Sequence, residues 1–128
     1  MTTDKMVVRL KDKSILKGIT SDFSPRKSIF NLKLLNGEMI KINTDKMKAA
    51  FYVKTFDGNR EYKYLYKDVL PWGGNKVKVK FQDGEIMIGY VSHLINNREN
   101  FYITPADKLG NNKRAFVVTS ATSEIIYL

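Results

Sequence analysis

The sequence contains no cysteine and only one histidine, and these two shortages exclude several kinds of site. Without cysteine there is no disulfide framework and no thiolate zinc site. The histidine, His93, has no sequence pattern around it that supplies a nucleophile or an orienting partner, as a general base requires. Scattered carboxylates beside a single histidine also lack metal-ligand spacing. We therefore expect no catalytic residues, no metal and no cofactor, and predict that the protein is not an enzyme.

Long apolar runs are also missing from the 128 residues. No stretch approaches the ~20 apolar residues that are needed to cross a bilayer. Residues 1–5 are polar, so no signal peptide is expected, and we predict a cytoplasmic protein without membrane insertion. A content of 43% hydrophobic and 27% charged residues is typical of a soluble globular protein. The length suffices for one ordinary domain or for two very small ones that share a surface.

An internal repeat organises the chain. When the sequence is shifted by 71 positions, identical residues coincide at Val8 and Val79, Asp12 and Asp83, Ile15 and Ile86, Gly18 and Gly89, Ser21 and Ser92, and Phe30 and Phe101. After a longer loop near Lys108 the offset becomes 75, and Phe51-Tyr52-Val53 then coincides with Ile126-Tyr127-Leu128. The apolar rhythm is kept throughout, which predicts a duplication. We assign residues 1–55 and 76–128 to the two copies and residues 56–75 to a linker.

Each copy is predicted to form five short strands. Apolar residues alternate with polar ones in the first strand of each copy, for example at Met6, Val8 and Leu10, as in a half-buried strand. Asp12-Lys13, Asn36-Gly37 and Asp83-Gly84 predict hairpin turns, and Asn36-Gly37 favours a type I′ turn with positive φ at both residues. Gly18 and Gly89 lie inside second strands, which indicates a sharp bend or a close backbone approach. Five short, bent strands in about 50 residues predict a small closed or nearly closed barrel.

The first two strands of each copy resemble the first motif of Sm-like proteins. The resemblance is carried by Val79-x-Phe81-x-Asp83-Gly84-Glu85 with Gly89, and by Val8-x-Leu10-x-Asp12 with Gly18. It implies an all-β fold of two tandem, strongly bent Sm- or SH3-like barrels with a pseudo-two-fold internal repeat. The Ile-Arg-Gly of the second Sm motif is absent from residues 45–48 and 121–124. The resemblance therefore implies the barrel shape but not the RNA site of that family.

The whole chain also resembles an uncharacterised family of bacterial tandem-repeat proteins, some of which are attached to PilZ domains. The residues that carry this second resemblance are Gly18-x-x-x-Asp22-Phe23-Ser24-Pro25 and Phe116-Val117-Val118 with the closing strand. It implies a regulatory context in a bacterial cell and no chemistry. PilZ domains bind cyclic di-GMP through two motifs, and only Asp22-x-Ser24 fits half of one of them, since Lys27 stands where glycine is needed.

Basic residues provide the candidate binding site. The net charge is +9, and residues 1–60, with 13 basic and 6 acidic side chains, hold +7 of it. The candidate anion-binding residues lie on first strands or in the loop after the second strand of each copy, and are Arg9, Lys11, Arg26, Lys27, Lys78, Lys80 and Arg98. Such groups can bind phosphates, and Tyr62, Tyr64 and Tyr66 could stack a base. Outward lysines on strands also serve solubility and protect sheet edges, and a tyrosine strip is also typical of packing.

Two functions remain open at this level. The first is a non-catalytic adaptor that binds an unknown protein partner, and the second is an anion-binding module for RNA, other nucleic acid or a nucleotide such as cyclic di-GMP. An isolated strand edge could also recruit a peptide by strand addition. The sequence does not distinguish a phosphate-binding face from a solubilising one, and it does not give the oligomeric state.

Overall fold

The computed structural model describes residues 4–56, 75–92, 99–105 and 112–128, and in them the chain is all-β, as predicted. Ten strands are present: β1 (Asp4–Leu10), β2 (Ile15–Thr20), β3 (Ile29–Leu34), β4 (Met39–Asn43), β5 (Met47–Val53), β6 (Asn75–Phe81), β7 (Ile86–Val91), β8 (Phe101–Pro105), β9 (Asn112–Val117) and β10 (Thr122–Tyr127). Short 3₁₀ turns at Thr44–Lys46 and Thr119–Ala121 precede β5 and β10. The described residues contain no α-helix.

The ten strands form a single antiparallel sheet that is not closed. Its order is β10-β6-β7-β8-β9-β5-β1-β2-β3-β4, so β10 and β4 lie at its two ends. Within the first half of the chain the order is fifth, first, second, third, fourth strand, and the second half has the same order. The two halves are joined where β5 pairs with β9. The sequence predicted the strands but not this continuous sheet. The pairing of a strand in one copy with a strand in the other joins residues that are far apart in the sequence, and local patterns do not indicate it.

The three hairpin turns share one geometry, and it differs from the predicted type I′ turn. Only the last loop residue has a positive φ, at Lys13 (76°), Gly37 (89°) and Gly84 (92°). The N–H groups of Lys13, Gly37 and Gly84 each bond to the carbonyl three residues earlier. These are three-residue loops with a left-handed closing residue, so the expectation of positive φ at Asn36 was wrong. Asn36 instead accepts a hydrogen bond from the N–H of Glu38 at 2.9 Å.

Gly18 and Gly89 lie where the backbones of two paired strands approach closely, which is one of the two features that the sequence predicted for them. A Cβ at Gly18 would collide with the carbonyl oxygen of Lys33 on the paired strand, and a Cβ at Gly89 would collide with that of Thr104. Both glycines are buried between two strands. Any larger residue at either position would therefore have to displace backbone rather than a flexible side chain.

Two apolar cores lie on opposite faces of the central strands. Ala49, Phe51 and Val53 of β5 pack into the core of the second half, whereas Ala50 and Tyr52 pack into that of the first. Strand β9 does the same, since Ala115 and Val117 join one core and Phe116 joins the other. Because both of their faces are covered, the end of β5 from Ala49 and the end of β9 from Ala115 are continuous apolar runs rather than alternating ones. The halves are therefore connected by shared packing as well as by backbone hydrogen bonds.

Candidate functional site

An ion network connects the two halves beside the β5–β9 junction. The buried ammonium of Lys48 on β5 donates to Asp83 Oδ2 at 2.7 Å and to Glu85 Oε1 at 3.1 Å. Both carboxylates belong to the turn between β6 and β7, and Glu85 Oε2 also contacts Arg9 Nη1 of β1 at 3.3 Å. The Lys48 side chain is only 8% exposed, while the two acidic side chains are 37% and 41% exposed. A buried charge of this kind needs its partners, so the network fixes the β6–β7 turn against the first half.

Aromatic rings support the two cations of this network. The Lys48 ammonium lies 4.7 Å from the centre of the Phe81 ring, and the Arg9 guanidinium lies 5.5 Å from that of Phe51. Each distance is within cation–π range. The hydrogen bond from Lys48, followed by the one from the Glu85 N–H, holds the pKa of Asp83 below its ordinary value. Asp83 is therefore a stable anion near neutral pH.

A small cavity of about 150 Å³ opens beside this network. Its lining includes Lys11, Lys48, Gln82, Asp83 and Ser120. Lys11 Nζ donates to Ser120 Oγ at 2.6 Å, which connects the β1–β2 turn with the 3₁₀ turn before β10. Arg9 and Lys11 were predicted to bind anions, and the structure places both at this junction with protein partners. The sequence had no means of finding those partners, which lie 76 and 109 residues away.

The loop between β2 and β3 carries the other two predicted cations of the first half. Arg26 and Lys27 are exposed there, and their side chains contact no described residue by hydrogen bond or ion pair. The hydroxyl of Thr44 donates to the carbonyls of Lys27 (3.2 Å) and Ser28 (2.7 Å), so this loop is held against the turn that carries Lys46. The loop therefore presents two exposed cations, Arg26 and Lys27, on an anchored backbone, and we call these two residues the basic rim.

Asp22 sits at the start of the same loop. Its carboxylate accepts hydrogen bonds from the Asn31 side chain at 2.9 Å and from the Thr20 hydroxyl at 3.1 Å. Burial raises the pKa of Asp22, but the bonds from Asn31 and Thr20 outweigh it, and the pKa lies below its ordinary value. These residues line an open depression of about 490 Å³, together with Lys33 and Met39. Asp22 therefore orders the start of this loop.

Lys78 and Lys80 lie on β6, away from the basic rim of the first half. Lys78 is half-buried and directly opposite Ile126, whereas Lys80 is exposed and directly opposite Glu124. Opposite charges at facing positions stabilise a strand pair. The remaining predicted site residues fall outside the described ranges, namely Arg98, Tyr62, Tyr64 and Tyr66, and so does His93. The structure thus brings Arg9 and Lys11 together with partners, and it leaves Arg26 and Lys27 in a separate loop.

Sequence reasoning missed two features. The first is Lys48, a single charge within the apolar run from Met47 to Val53, which was a visible signal of a buried ion pair. The second is a cluster on β5, β8 and β9, where the Arg114 guanidinium lies 4.5 Å from the ring centres of both Tyr52 and Tyr102. Only the sheet order brings these three residues together, so no local pattern could have found the cluster.

The described residues hold no group of three or more histidine, cysteine, aspartate or glutamate side chains that could bind a metal ion. In the same parts of the chain, no helix has the length and apolar character needed to span a membrane. The chain matches no curated protein and no solved structure. A family model does match it over residues 2–128, and the chain therefore belongs to DUF6982, a family of unknown function.

Proposed function

We propose that the protein is a non-catalytic binding module that pairs an extended segment of a protein partner with an open edge of its sheet. The observation that carries this proposal is the outer edge of β10. No described strand pairs with that edge, and the side chains of Ile126 in β10 and of Leu128, just after it, are 38% and 63% exposed. Exposed apolar side chains along a sheet edge with which no described strand pairs are the features that allow strand addition. A regulatory role in a bacterial cell is a prediction from the family resemblance.

The proposal extends to the fold: the chain is a tandem duplication of one five-stranded, Sm- or SH3-like unit. The pairing register supports this. Every β1–β2 pair recurs in β6–β7 with both residue numbers raised by 71, so that Val8 opposite Leu16 becomes Val79 opposite Met87. The β2–β3 pairs recur in β7–β8 with the same offset. Unrelated hairpins have no reason to agree in register at every described pair.

An irregularity in the sheet supports the duplication further. The β1–β5 pairing skips Lys48, and the β6–β10 pairing skips Ser123, which is the residue 75 positions later. A bulge at corresponding positions is a specific local feature that families tend to keep. By this correspondence, β10 is the counterpart of β5, and β4 is the counterpart of β9.

A peptide with the sequence of residues 112–118 tests the binding function, because β9 pairs with β5 and β5 is the counterpart of β10. We expect the labelled peptide to bind the full chain, with amide protection from hydrogen exchange appearing along β10. The control peptide carries Phe116→Pro, since the Val118 N–H bonds to Lys48 of β5 and alternate N–H groups, including that of Phe116, point the same way. Binding of both peptides alike, or protection elsewhere on the chain, contradicts the proposal.

A second candidate function is phosphate binding at the basic rim. It is favoured by one observation: Arg26 and Lys27 are exposed on an anchored loop and contact no described residue by hydrogen bond or ion pair. Exposed cations on an anchored loop can bind the phosphates of a nucleic-acid backbone. The surplus of positive charge in the first 60 residues acts in the same direction.

Binding of single-stranded RNA at two salt concentrations tests this second candidate. If phosphates are contacted, affinity falls steeply as salt rises, and Arg26→Ala with Lys27→Ala lowers it at least several-fold at low salt. Lys13→Ala with Lys41→Ala is the matched control, because it removes the same charge from exposed side chains outside this loop that contact no described residue by hydrogen bond or ion pair. An equal loss in both double variants indicates nonspecific attraction, and no binding at low salt removes the candidate.

A further inference from the structure

The junction between the two halves shows how a fifth strand pairs with a fourth strand of another unit. At this junction Ala49 lies opposite Val117, Phe51 lies opposite Ala115, and Tyr52 lies opposite Arg114. The apolar residues of β5 at the junction are almost fully covered, with Phe51 4% and Val53 2% exposed. The pairing is heterologous, since the two strands belong to different positions of their units.

The same two surfaces are left open at the ends of the sheet. The counterparts of Phe51 and Val53 are Ile126 in β10 and Leu128 just after it, which are 38% and 63% exposed. On the other free edge, Met39 of β4 is 60% exposed and is the counterpart of Arg114 in β9. Each end of the sheet therefore has an edge strand that corresponds to one of the two strands of the internal junction: β10 corresponds to β5, and β4 corresponds to β9. Neither edge strand has a partner on its outer side among the described residues.

We propose that the chain associates head to tail with a second copy of itself, the outer edge of β10 in one molecule pairing with the outer edge of β4 in the next. The register of the internal junction, in which Phe51 lies opposite Ala115, places Ile126 opposite Ile40. This inference rests on the proposed function, because it names the partner that the open edge receives. A heterologous contact closes into a ring or continues as a filament, depending on the rotation at each step.

Backbone direction on β4 fits this pairing. The Thr44 N–H bonds to Ser28, next to β3, and the Glu38 carbonyl accepts from Leu34 of β3. Because alternate residues of a strand direct their N–H groups to opposite sides, the N–H groups of Asn43 and Lys41 point away from β3. They correspond to those of Val118 and Phe116, of which the first bonds to the Lys48 carbonyl at the internal junction.

The contact between molecules is weaker than the internal one for a specific reason. At the internal junction, Lys48 is paired with Asp83 and Glu85. The counterpart of Lys48 is Ser123, and the counterpart of Glu85 is Ser14, so only Asp12 remains of that network. The proposed contact therefore has the apolar and backbone components of the internal junction without its ion pairs, and it is reversible.

Sedimentation velocity of the full chain over a hundredfold range of concentration tests the inference, with two blocking variants. Lys41→Pro removes an outward N–H from β4, and Ile126→Glu places a charge on the apolar edge of β10. We expect the wild type to show species larger than a monomer at high concentration and each variant to remain monomeric. Ile86→Glu is the matched control, because Ile86 is an exposed isoleucine on the interior strand β7 and should leave association unchanged.

Mixing the two blocked variants distinguishes the head-to-tail contact from a symmetric one. One variant retains an intact β10 and the other an intact β4, so an equimolar mixture should form a 1:1 dimer although neither associates alone. If the Lys41→Pro chain still dimerises by itself, β10 pairs with β10 and the inference fails. Far-UV circular dichroism verifies that both variants are folded, and Met39→Glu replaces Lys41→Pro if the proline variant is not.

A gain of function tests the register itself. Ser123→Lys with Ser14→Glu restores the counterparts of Lys48 and Glu85, and should strengthen association about tenfold over the wild type. A wild type that stays monomeric throughout, or a double variant that associates no better, overturns the inference. If the wild type is monomeric while the peptide of residues 112–118 still binds β10, the strand-binding function stands and only self-association fails. If neither occurs, both fail.

Discussion

Removal of the two carboxylates around Lys48 should cost more stability than a surface change, and removal of Lys48 as well should restore it. Asp83→Asn with Glu85→Gln leaves the buried ammonium without an anion, although its contact with the Phe81 ring remains. Loss of a partner from a fully buried ion pair costs roughly 3–5 kcal/mol. Both acidic side chains here are more than one third exposed, and solvent screening lowers their contribution, so we expect a loss of about 2 kcal/mol.

Adding Lys48→Met to that double variant should recover most of the loss, to within about 1 kcal/mol of the wild type. Methionine fills a similar volume without a charge, and buried ion pairs replaced by apolar residues are often neutral in stability. Urea denaturation followed by circular dichroism measures the free energy of unfolding, provided that the slope against urea is unchanged. Equal slopes indicate that the variants differ in stability and not in compactness.

Net charge is the necessary control, since loss of two acids from a protein of charge +9 increases its self-repulsion. Glu38→Gln with Asp45→Asn makes the same change at exposed positions whose side chains contact no described residue by ion pair. That variant should lie within about 0.5 kcal/mol of the wild type. The reasoning is refuted if the Asp83 and Glu85 variant loses no more than this control, or if Lys48→Met destabilises it further.

Three further predictions concern stability. The pKa of Asp83 is lower in the folded state than the unfolded value of about 3.9. Its contribution to folding stability is therefore fully present above the unfolded pKa and is lost as the pH falls through the folded pKa. Asp83→Asn removes this contribution, so the melting temperature of the variant should fall less steeply than that of the wild type below about pH 4. Lys13→Gly should raise stability by about 0.5–1 kcal/mol, because Lys13 has a positive φ where glycine is favoured, whereas Lys13→Ala should give no such gain. Gly18→Ala and Gly89→Ala should each cost about 3 kcal/mol by urea denaturation, since a Cβ meets backbone at both; a loss below 1 kcal/mol would show that the sheet can relax there.

The candidate sites were only partly predictable from the sequence. Arg26 and Lys27 were found because they lie in one short loop, and the structure keeps them together and exposed. Arg9 was selected by its outward position on a strand, yet its Glu85 partner is 76 residues away. Lys48 was overlooked for the same reason, because the sequence around a lone lysine in an apolar strand does not indicate which carboxylates it contacts. When two side chains that interact are far apart in the sequence, the packing of the whole fold decides that they meet. A local sequence pattern holds no information about that packing.

The sequence by itself determined the strands and the positions of the turns, because alternation, the Asp and Asn turn residues and the interior glycines are local requirements of the backbone. It also contained the 71- and 75-residue offsets that the pairing register follows. Only the tertiary structure decided that β5 pairs with β9, and hence that β4 and β10 are left at the ends. Every strand edge offers the same N–H and C=O groups, so the choice of neighbour depends on which side chains can be buried together, and that is decided by the whole fold.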